Sequence, residues 1–474
     1  MLFNSIAFIL FFLIVTTLFF LLQHKYRWFL LLAASCYFYM AFIPVYILIL
    51  GFTIVVDYFA GIYLEKAKSK RKLFLIMSLV ANIGVLAFFK YFNFINENIT
   101  ALLKGAGMSN PVPFLKIILP IGLSFHTFQA MSYTIEVYRG NQKAERNFGI
   151  YALYVMFYPQ LVAGPIERPQ NLLHQFYEKH ELNYDNVVSG LKLILWGFFQ
   201  KLVVADRLAI YVDAVYNNPE NHSGLTLLLA TVFFAFQIYC DFAGYSNIAI
   251  GSAKIMGFKL MTNFRRPYFA KSISEFWTRW HISLSSWFRD YLYIPLGGNR
   301  VSVPRWCFNL FFVFLLSGLW HGANWTFIAW GAINGLYLIF SLLFKKFNEK
   351  FAVSTGLKKS PRISAFVQIV AGFLLTSFAW IFFRAKSIDS AFLIIRKIFA
   401  FRGPLFISTP SLIIYSLLAI GFLLTCEFFT EYYPQVSLIN NKYKPVRYIA
   451  YASLVTIILV MGVLDGGQFI YFQF

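Results

Sequence analysis

The sequence has little charge and contains none of the common nucleotide-binding or hydrolase motifs. Charged side chains make up 13% of the 474 residues, whereas 59% are hydrophobic and 20% aromatic. Soluble domains are usually only about half apolar, so this composition excludes an ordinary soluble protein. A Walker motif, a zincin-type His/Glu pair and a G-x-S-x-G elbow are all missing. Their absence argues against ATP hydrolysis and against a self-contained serine hydrolase.

Cysteines are also few, and acidic residues are outnumbered by basic ones. The four cysteines are far apart in apolar stretches, which predicts small buried hydrophobes instead of a metal site or a disulfide framework. The net charge is +21, from 41 Lys and Arg against 20 Asp and Glu. No basic domain stands outside the apolar runs, so we expect no nucleic-acid partner and interpret the basic segments as membrane-flanking loops.

Apolar runs of about 20 residues recur along the chain, and each is long enough to cross a hydrocarbon core of about 30 Å. The alternation typical of barrel strands is not found. We predict an all-α polytopic membrane protein with about 10–12 transmembrane helices, plus re-entrant and interfacial helices. The first 23 residues carry no charge, so we expect a retained span. The predicted spans lie near 4–23, 28–46, 46–64, 73–93, 187–205, 224–252, 307–344 (a hairpin), 364–384, 411–430 and 447–464.

The charge pattern predicts an orientation and a division of the chain. Basic segments at 24–27 and 66–72 belong in the cytoplasm if the N-terminus is extracytoplasmic. The segment 258–306 is also rich in Lys and Arg, which favours a cytoplasmic, interfacial position. Proline and glycine interrupt the apolar runs from residue 111 onward, as in membrane segments that line a cavity. We predict a single domain, 1–474, with peripheral spans in 1–110, a catalytic core in 111–345 and C-terminal spans in 346–474.

Two Trp-His pairs, Trp280-His281 and Trp320-His321, stand out in this hydrophobic chain. A helix that enters the membrane near Cys307 would carry His321 deep into the bilayer. Titratable groups at that depth usually face the bundle interior or a cavity. His321 is therefore either a general base or acid in a buried tunnel, or a neutral histidine that hydrogen-bonds between helices.

The other pair lies in "SISEFWTRWHISLSSWFRDYLYIPLGGNR", which mixes Trp, Arg and Ser and predicts an interfacial helix followed by a turn. This segment is either a membrane-surface anchor or a cytoplasmic port for an anionic substrate. Arginine and lysine suit phosphate groups, so the port interpretation has a chemical basis. The candidate phosphate ligands are Arg265, Arg266, Lys271, Arg279 and Arg289.

A third polar cluster interrupts an apolar span at "FQIYCDFAGYSNIAIGSAKIMG", residues 236–257. Gln237, Asp241 and Tyr245 fall in it, and Asp241 is the most costly of them inside a membrane. Such a carboxylate indicates either a polar cavity or a structural network between helices. The sequence alone leaves these two possibilities open.

Three motifs together resemble a known family. They are "QIYCDFAGYSNIAIG", "NFRRPYFAKSISEFWTRWHISLSSWFRDYLYIPLGG" and "SGLWHGANWTFIAWG". In this order they are similar to the membrane-bound O-acyltransferases, in the bacterial branch typified by the membrane subunit of alginate O-acetylation. "GPIERP", "SFAWIFFRA" and "QFIYFQF" are also similar to that branch. The resemblance covers nearly the whole chain.

The resemblance implies helices around a central channel, with His321 as the catalytic residue and His281 as the second signature position. It implies acetyl-CoA as a cytoplasmic donor substrate, with no bound cofactor and no metal. The acceptor would be an exported polysaccharide, reached through an extracytoplasmic partner of the SGNH-hydrolase type at the cytoplasmic (inner) membrane. Asp241, Tyr245 and Asn324 would orient the imidazole or polarise the carbonyl, and Gln237 and Trp320 would line the channel.

Four alternatives remain open from the sequence. Two belong to the same superfamily: peptidoglycan O-acetylation, and D-alanyl transfer to teichoic acid from a carrier protein. The other two are a transporter whose buried polar residues line a permeation path and a scaffold that anchors a soluble acetyltransferase. A transporter would more often show repeated halves, and none is found in the sequence.

Overall fold

The computed structural model describes residues 1–116, 120, 122–161, 164–345, 350, 353–355, 359–436, 438–464 and 469–470. Within these residues the chain forms helices and no β-strand. Parts of the basic stretch 345–362 and of the closing "QFIYFQF" lie outside the described residues. The described part contains 9 helical segments that are long and apolar enough to cross a membrane. This confirms the prediction of an all-helical, multi-pass membrane protein.

The contacts within the chain group it into two compact units. Unit 1 contains residues 1–194 and 245–261, and unit 2 contains 195–244 and 262–474. These boundaries do not coincide with the predicted divisions at 110 and 345, and the single-domain assignment stays a prediction. Two helices, α10 (Tyr184–Phe198) and α12 (Gly224–Ile255), contain points where the chain passes from one unit to the other.

Unit 1 is built on helices that pack through buried polar side chains. The Asp57 carboxylate accepts hydrogen bonds from the Ser78 hydroxyl (2.6 Å) and the Asn82 amide (2.9 Å), which joins two apolar helices. Polar contacts of this kind link helices that the hydrophobic effect does not drive together in lipid. The helices are α1 (Ile6–Leu21), α2 (His24–Met40), α3 (Ile47–Lys66), α4 (Arg71–Leu86), α5 (Phe92–Gly105), α6 (Leu123–Arg139), α7 (Phe148–Met156), α8 (Tyr158–Leu161) and α9 (Pro169–Leu172).

Unit 2 holds both Trp-His pairs and a large aromatic core. Four of its long helices have a proline in the first turn, where the missing N–H has no partner to lose. The helices are α11 (Asp206–Tyr216), α13 (Ile273–Arg279), α14 (Ile282–Phe288), α15 (Val303–His321), α16 (Trp325–Leu343), α17 (Pro361–Arg384), α18 (Ile388–Ala400), α19 (Pro410–Tyr432) and α20 (Lys444–Met461).

Helices α15 and α16 form the predicted hairpin and approach each other closely at two glycines. A Cβ atom on Gly318 would lie 3.1 Å from the Gly331 Cα, and a Cβ on Gly331 would lie 3.2 Å from the Gly318 Cα. Glycine is needed at both positions because backbone atoms of the facing helix occupy the space of a side chain. This contact sets the position of His321, three residues after Gly318.

We predict that Gly318→Ala destabilises unit 2, because the facing backbone cannot move aside for the methyl group. The matched control is Gly421→Ala on α19, where no atom lies within 4 Å of an added Cβ. Thermal unfolding of the detergent-solubilised protein is expected to show a lower Tm for Gly318→Ala and an unchanged or higher Tm for Gly421→Ala. Equal Tm values for the two variants would contradict the close-contact interpretation.

Candidate active site

A partly open cavity in unit 2 brings the two histidines together. Its volume is about 270 Å³, and both His281 and His321 line it. The walls come from α13, α14, α15 and α16, so residues 40 positions apart in the sequence meet at one place. The polar residues of the wall include Thr278, Ser285, Ser286, Arg289, Tyr293 and Ser317.

The four residues of the two pairs belong to one aromatic cluster. The His321 ring lies 5.0 Å from the Trp330 ring, and Trp330 stacks on Trp380 at 5.7 Å. Trp380 in turn lies 5.0 Å from Trp280, and the Trp320 ring lies 6.4 Å from His281. Such large rings leave each imidazole few positions, because the interior is packed to high density. The cluster therefore fixes both histidines relative to the cavity.

His321 is the last residue of α15, and its side chain is 5% exposed. The helix begins at Val303, four residues earlier than the entry point near Cys307 that the sequence suggested. At 1.5 Å per residue, His321 lies about 27 Å along the axis from the start of the helix. His321 is therefore buried within the protein, as predicted. It lies at the far end of its helix and not near the middle.

His281 lies at the break between α13 and α14, with φ of 42° and ψ of 55°. The prediction of one interfacial helix through this segment is wrong, because the chain turns at His281 and buries it to 1% exposure. A left-handed conformation at a non-glycine residue costs about 1–2 kcal/mol, and such strain is typical of functional sites. Burial also lowers the pKa of His281, so the ring is neutral near neutral pH.

The backbone around Asn263 and Arg265 forms hydrogen bonds that hold the turn at His281 in place. The Ile282 N–H donates to the Asn263 carbonyl and the Arg265 N–H donates to the Arg279 carbonyl, both at 2.9 Å. The Asn263 side-chain oxygen also accepts hydrogen bonds from the Ser283 hydroxyl (2.9 Å) and the Ser283 N–H (3.3 Å). Sequence reasoning missed Asn263, which stands in the quoted "NFRRPYF" motif but shows no helical spacing to His281.

Asp241 belongs to a buried ion-pair network. The Lys201 ammonium lies 2.7 Å from a carboxylate oxygen of Asp241 and 2.7 Å from one of Asp206. The other Asp241 oxygen accepts the N–H of Ile470 at 2.6 Å. Lys201 reaches this position from a π-helical turn, Phe199–Ala205, a local feature that the sequence did not reveal. Asp241 therefore joins helices and the Ile470 segment, and both of its oxygens are engaged there.

Of the other residues predicted to support the site, some lie beside the histidines and others lie elsewhere. Trp320 contacts both histidines. Gln237 is buried, and its side-chain oxygen accepts no hydrogen bond from the described residues. Asn324 caps α16 by accepting the Thr326 N–H at 2.9 Å, and its amide donates to the Lys386 carbonyl. The Tyr245 hydroxyl, in unit 1, donates to the Asn4 side chain at 2.9 Å.

The basic residues differ in how far their charge is already neutralised. Arg266 and Arg279 lie 2.5 Å and 2.9 Å from the Glu431 carboxylate, which the sequence gave no reason to place there. Arg279 also pairs with Glu275. Arg265 and Lys271 are exposed, and the exposed Arg289 lines the cavity and pairs with the neighbouring Asp290. Among the described residues, no three His, Cys, Asp or Glu side chains form a metal-binding group.

Fold and site together define a multi-pass membrane protein with two buried histidines on the wall of one cavity. The model of the membrane-bound O-acyltransferase family matches residues 143–384, which include both histidines. The chain belongs to the membrane-bound O-acyltransferase family and is an acyltransferase.

Curated relatives agree with this assignment. The chain is 38% identical to the probable alginate O-acetylase of Pseudomonas aeruginosa, over 85% of this chain and 75% of the relative. It is 35% identical to the peptidoglycan O-acetyltransferase of Helicobacter pylori, over 79% of this chain and 74% of the relative. It is 28% identical to the teichoic acid D-alanyltransferase of Bacillus subtilis, over 59% of this chain and 73% of the relative.

We predict that Asn263→Ala and Ser283→Ala each lower acyl transfer about tenfold or more, since small displacements of a site residue are costly in rate. Because both changes remove the hydrogen bond from the Ser283 hydroxyl to the Asn263 side-chain oxygen, the double variant is expected to lose no more than Asn263→Ala alone. Initial rates with membranes of matched protein content would measure this. If the rate losses of the two single variants multiplied in the double variant, the two residues would not share one role.

We predict that Lys201→Met destabilises the protein by about 3–5 kcal/mol, because it leaves two buried carboxylates without their cation. The control is Lys179→Met, which removes an exposed partner of Glu181 and should change stability by less than about 1 kcal/mol. Denaturant unfolding in detergent micelles would compare the two. A small effect at Lys201 would show that the network contributes little to the fold.

Proposed function

We propose that this acyltransferase takes acetyl groups from cytoplasmic acetyl-CoA and passes them across the membrane to O-acetylate an exported cell-envelope polysaccharide. The observation that carries the proposal is the meeting of the buried His281 and His321 on the wall of one cavity of about 270 Å³. The relatives named for alginate and peptidoglycan O-acetylation favour a polysaccharide acceptor.

The proposed reaction uses His321 as a general base. The imidazole takes the proton of the acceptor hydroxyl as that oxygen attacks the thioester carbonyl carbon. The tetrahedral intermediate then collapses, the C–S bond breaks, and the departing thiolate takes the proton back from His321. A buried base suits this step, because water in the cavity would otherwise compete with the acceptor hydroxyl. His281 lies on the same wall, and we propose that it hydrogen-bonds the donor or the acceptor.

The donor enters the proposal as a substrate and not as a resident cofactor. Arg289 stands at the exposed edge of the cavity, where its charge can meet phosphate groups of acetyl-CoA. Arg265 and Lys271 are exposed and remain candidates for the same role. Arg266 and Arg279 are weaker candidates, because Glu431 already balances their charge.

The acceptor side is proposed to lie toward the far end of α15. His321 ends that helix, whereas the basic segment before Val303 begins it. We propose that the protein lies in the cytoplasmic (inner) membrane with its N-terminus extracytoplasmic, and that an SGNH-type partner outside completes the transfer to polymer. The basic loops support this orientation through the positive-inside rule.

We predict that His321→Ala abolishes acetyl transfer while the protein remains folded and inserted, because it removes the proposed base for the hydroxyl proton. The control is His174→Ala, since His174 is exposed and, among the described residues, its ion-pair partner is Glu178 at 3.6 Å. Transfer of radiolabel from acetyl-CoA into alkali-labile polymer esters would measure both variants. Normal labelling in His321→Ala would refute the assignment.

The same assay distinguishes the donor and the acceptor. Membranes of the wild-type protein are incubated with labelled acetyl-CoA or with a labelled D-alanyl carrier protein, and the labelled polymer is then identified. Labelled polysaccharide from acetyl-CoA supports the proposal. Label only from the D-alanyl carrier, or only in peptidoglycan, would replace it with one of the two related activities.

A further inference from the structure

The cavity beside His321 contains one buried hydroxyl that is not committed to the protein backbone. Three other hydroxyls of the wall donate to nearby carbonyls: Thr278 to Glu275 (2.7 Å), Ser285 to Trp280 (3.1 Å) and Ser286 to Ser283 (2.9 Å). Ser274 is exposed and Tyr293 is only partly buried, so both lie toward the rim. Ser317 is 7% exposed and makes no hydrogen bond with any described residue.

Ser317 lies on the same face of α15 as His321, four residues earlier. Side chains at this spacing are neighbours, with Cβ atoms about 5–6 Å apart. A serine within a helix commonly donates to the carbonyl four residues before it. Ser35 does so to Leu31 (2.7 Å), and Ser252 does so to Ile248 (2.8 Å). The proton of Ser317 is not used in this way.

An unused hydroxyl is not sufficient by itself to indicate a function. Ser377 and Ser416 are also buried in helices of unit 2 and also lack a hydrogen-bond partner among the described residues. Neither lines the cavity that holds the two histidines. What distinguishes Ser317 is therefore its place on the cavity wall, one helical turn from the proposed base.

We infer that the Ser317 hydroxyl donates a hydrogen bond to the carbonyl oxygen of the acyl thioester and stabilises that oxygen during transfer. This inference rests on the function proposed above and names a further residue in it. As the acceptor oxygen bonds to the carbonyl carbon, the C=O electron pair moves to the carbonyl oxygen, which becomes an oxyanion. A donor fixed on the helix beside His321 meets that charge without reorganisation, and such donors act mainly on the transition state.

The geometry also explains why one helix carries both groups. His321 takes the proton from the attacking hydroxyl, and Ser317 faces the oxygen on which negative charge develops. The close contact of Gly318 with Gly331 holds the intervening turn of α15 against α16. The base and the hydrogen-bond donor therefore keep a constant separation, as electrostatic preorganisation requires.

The test compares Ser317→Ala with Ser317→Thr, which keeps a hydroxyl, and with Ser416→Ala, which removes a buried and unused hydroxyl elsewhere. Membranes of matched protein content receive radiolabelled acetyl-CoA, and label in alkali-labile polymer esters gives kcat and KM. Ser317→Ala is expected to lower kcat about 100-fold with little change in KM for acetyl-CoA. Ser317→Thr is expected to recover most of that loss, and Ser416→Ala to match the wild type.

Several outcomes separate this inference from the proposed function. A wild-type kcat in Ser317→Ala, with His321→Ala inactive, overturns the inference alone. An equal loss in Ser317→Thr and Ser317→Ala, with both variants monodisperse by size-exclusion chromatography, also overturns it. Intact-mass detection of an acetyl ester on Ser317 would replace hydrogen bonding with a covalent role. Failure of the wild type to use acetyl-CoA would refute the proposed function, and the inference with it.

Discussion

The contact between α15 and α16 is the constraint on which the site depends. Two glycines bring the helix backbones so close that no side chain fits between them. The hairpin then places the last residue of α15, His321, against Trp330 on α16, and Trp330 stacks on Trp380 of α17. In a membrane the hydrophobic effect adds little to helix association, so close packing of small residues supplies much of the specificity. Rigid packing here is therefore part of the proposed chemistry, because it fixes the proposed base, His321.

Some polar groups of unit 2 are already bound to other protein groups and stabilise the fold, whereas others remain on the cavity wall for the reaction. Lys201 and its two aspartates are bound to one another, and Asn324 is committed to a helix cap. Arg266 and Arg279 are balanced by Glu431. Buried charges persist only when they are paired, so these groups stabilise the framework and are poorly available to a substrate. The cavity wall is left with two imidazoles and several hydroxyls, together with the cation Arg289 at its edge. That distribution suits a neutral thioester carbon and an anionic carrier.

The sequence predicted the elements well and the contacts between them poorly. Apolar run length located the spans, because a helix that crosses lipid must be apolar along its whole length. It also identified both histidines, since titratable groups are rare in such runs. It could not show the turn at His281, because that backbone conformation depends on pairing with Asn263 and Arg265. The Glu431 ion pairs could not be predicted for the same reason, since they join residues 165 and 152 positions apart along the chain. The Asn324 cap was visible in principle, as an Asn directly before an apolar helical run.

Residues 273–293 form two short helices and a π-helical turn instead of the one interfacial helix that was predicted. This difference changes how the cavity can be reached. A continuous surface helix would have kept His281 at the membrane boundary, far from His321. The break at His281 instead turns that residue inward, while Arg289, at the start of the following π-helical turn, remains exposed. One short segment therefore connects an exposed cation with a buried imidazole over eight residues. The proposed donor, with its charged carrier and small neutral acyl group, has the same polarity along its length, so its acyl end would enter the cavity while its phosphates stay in water.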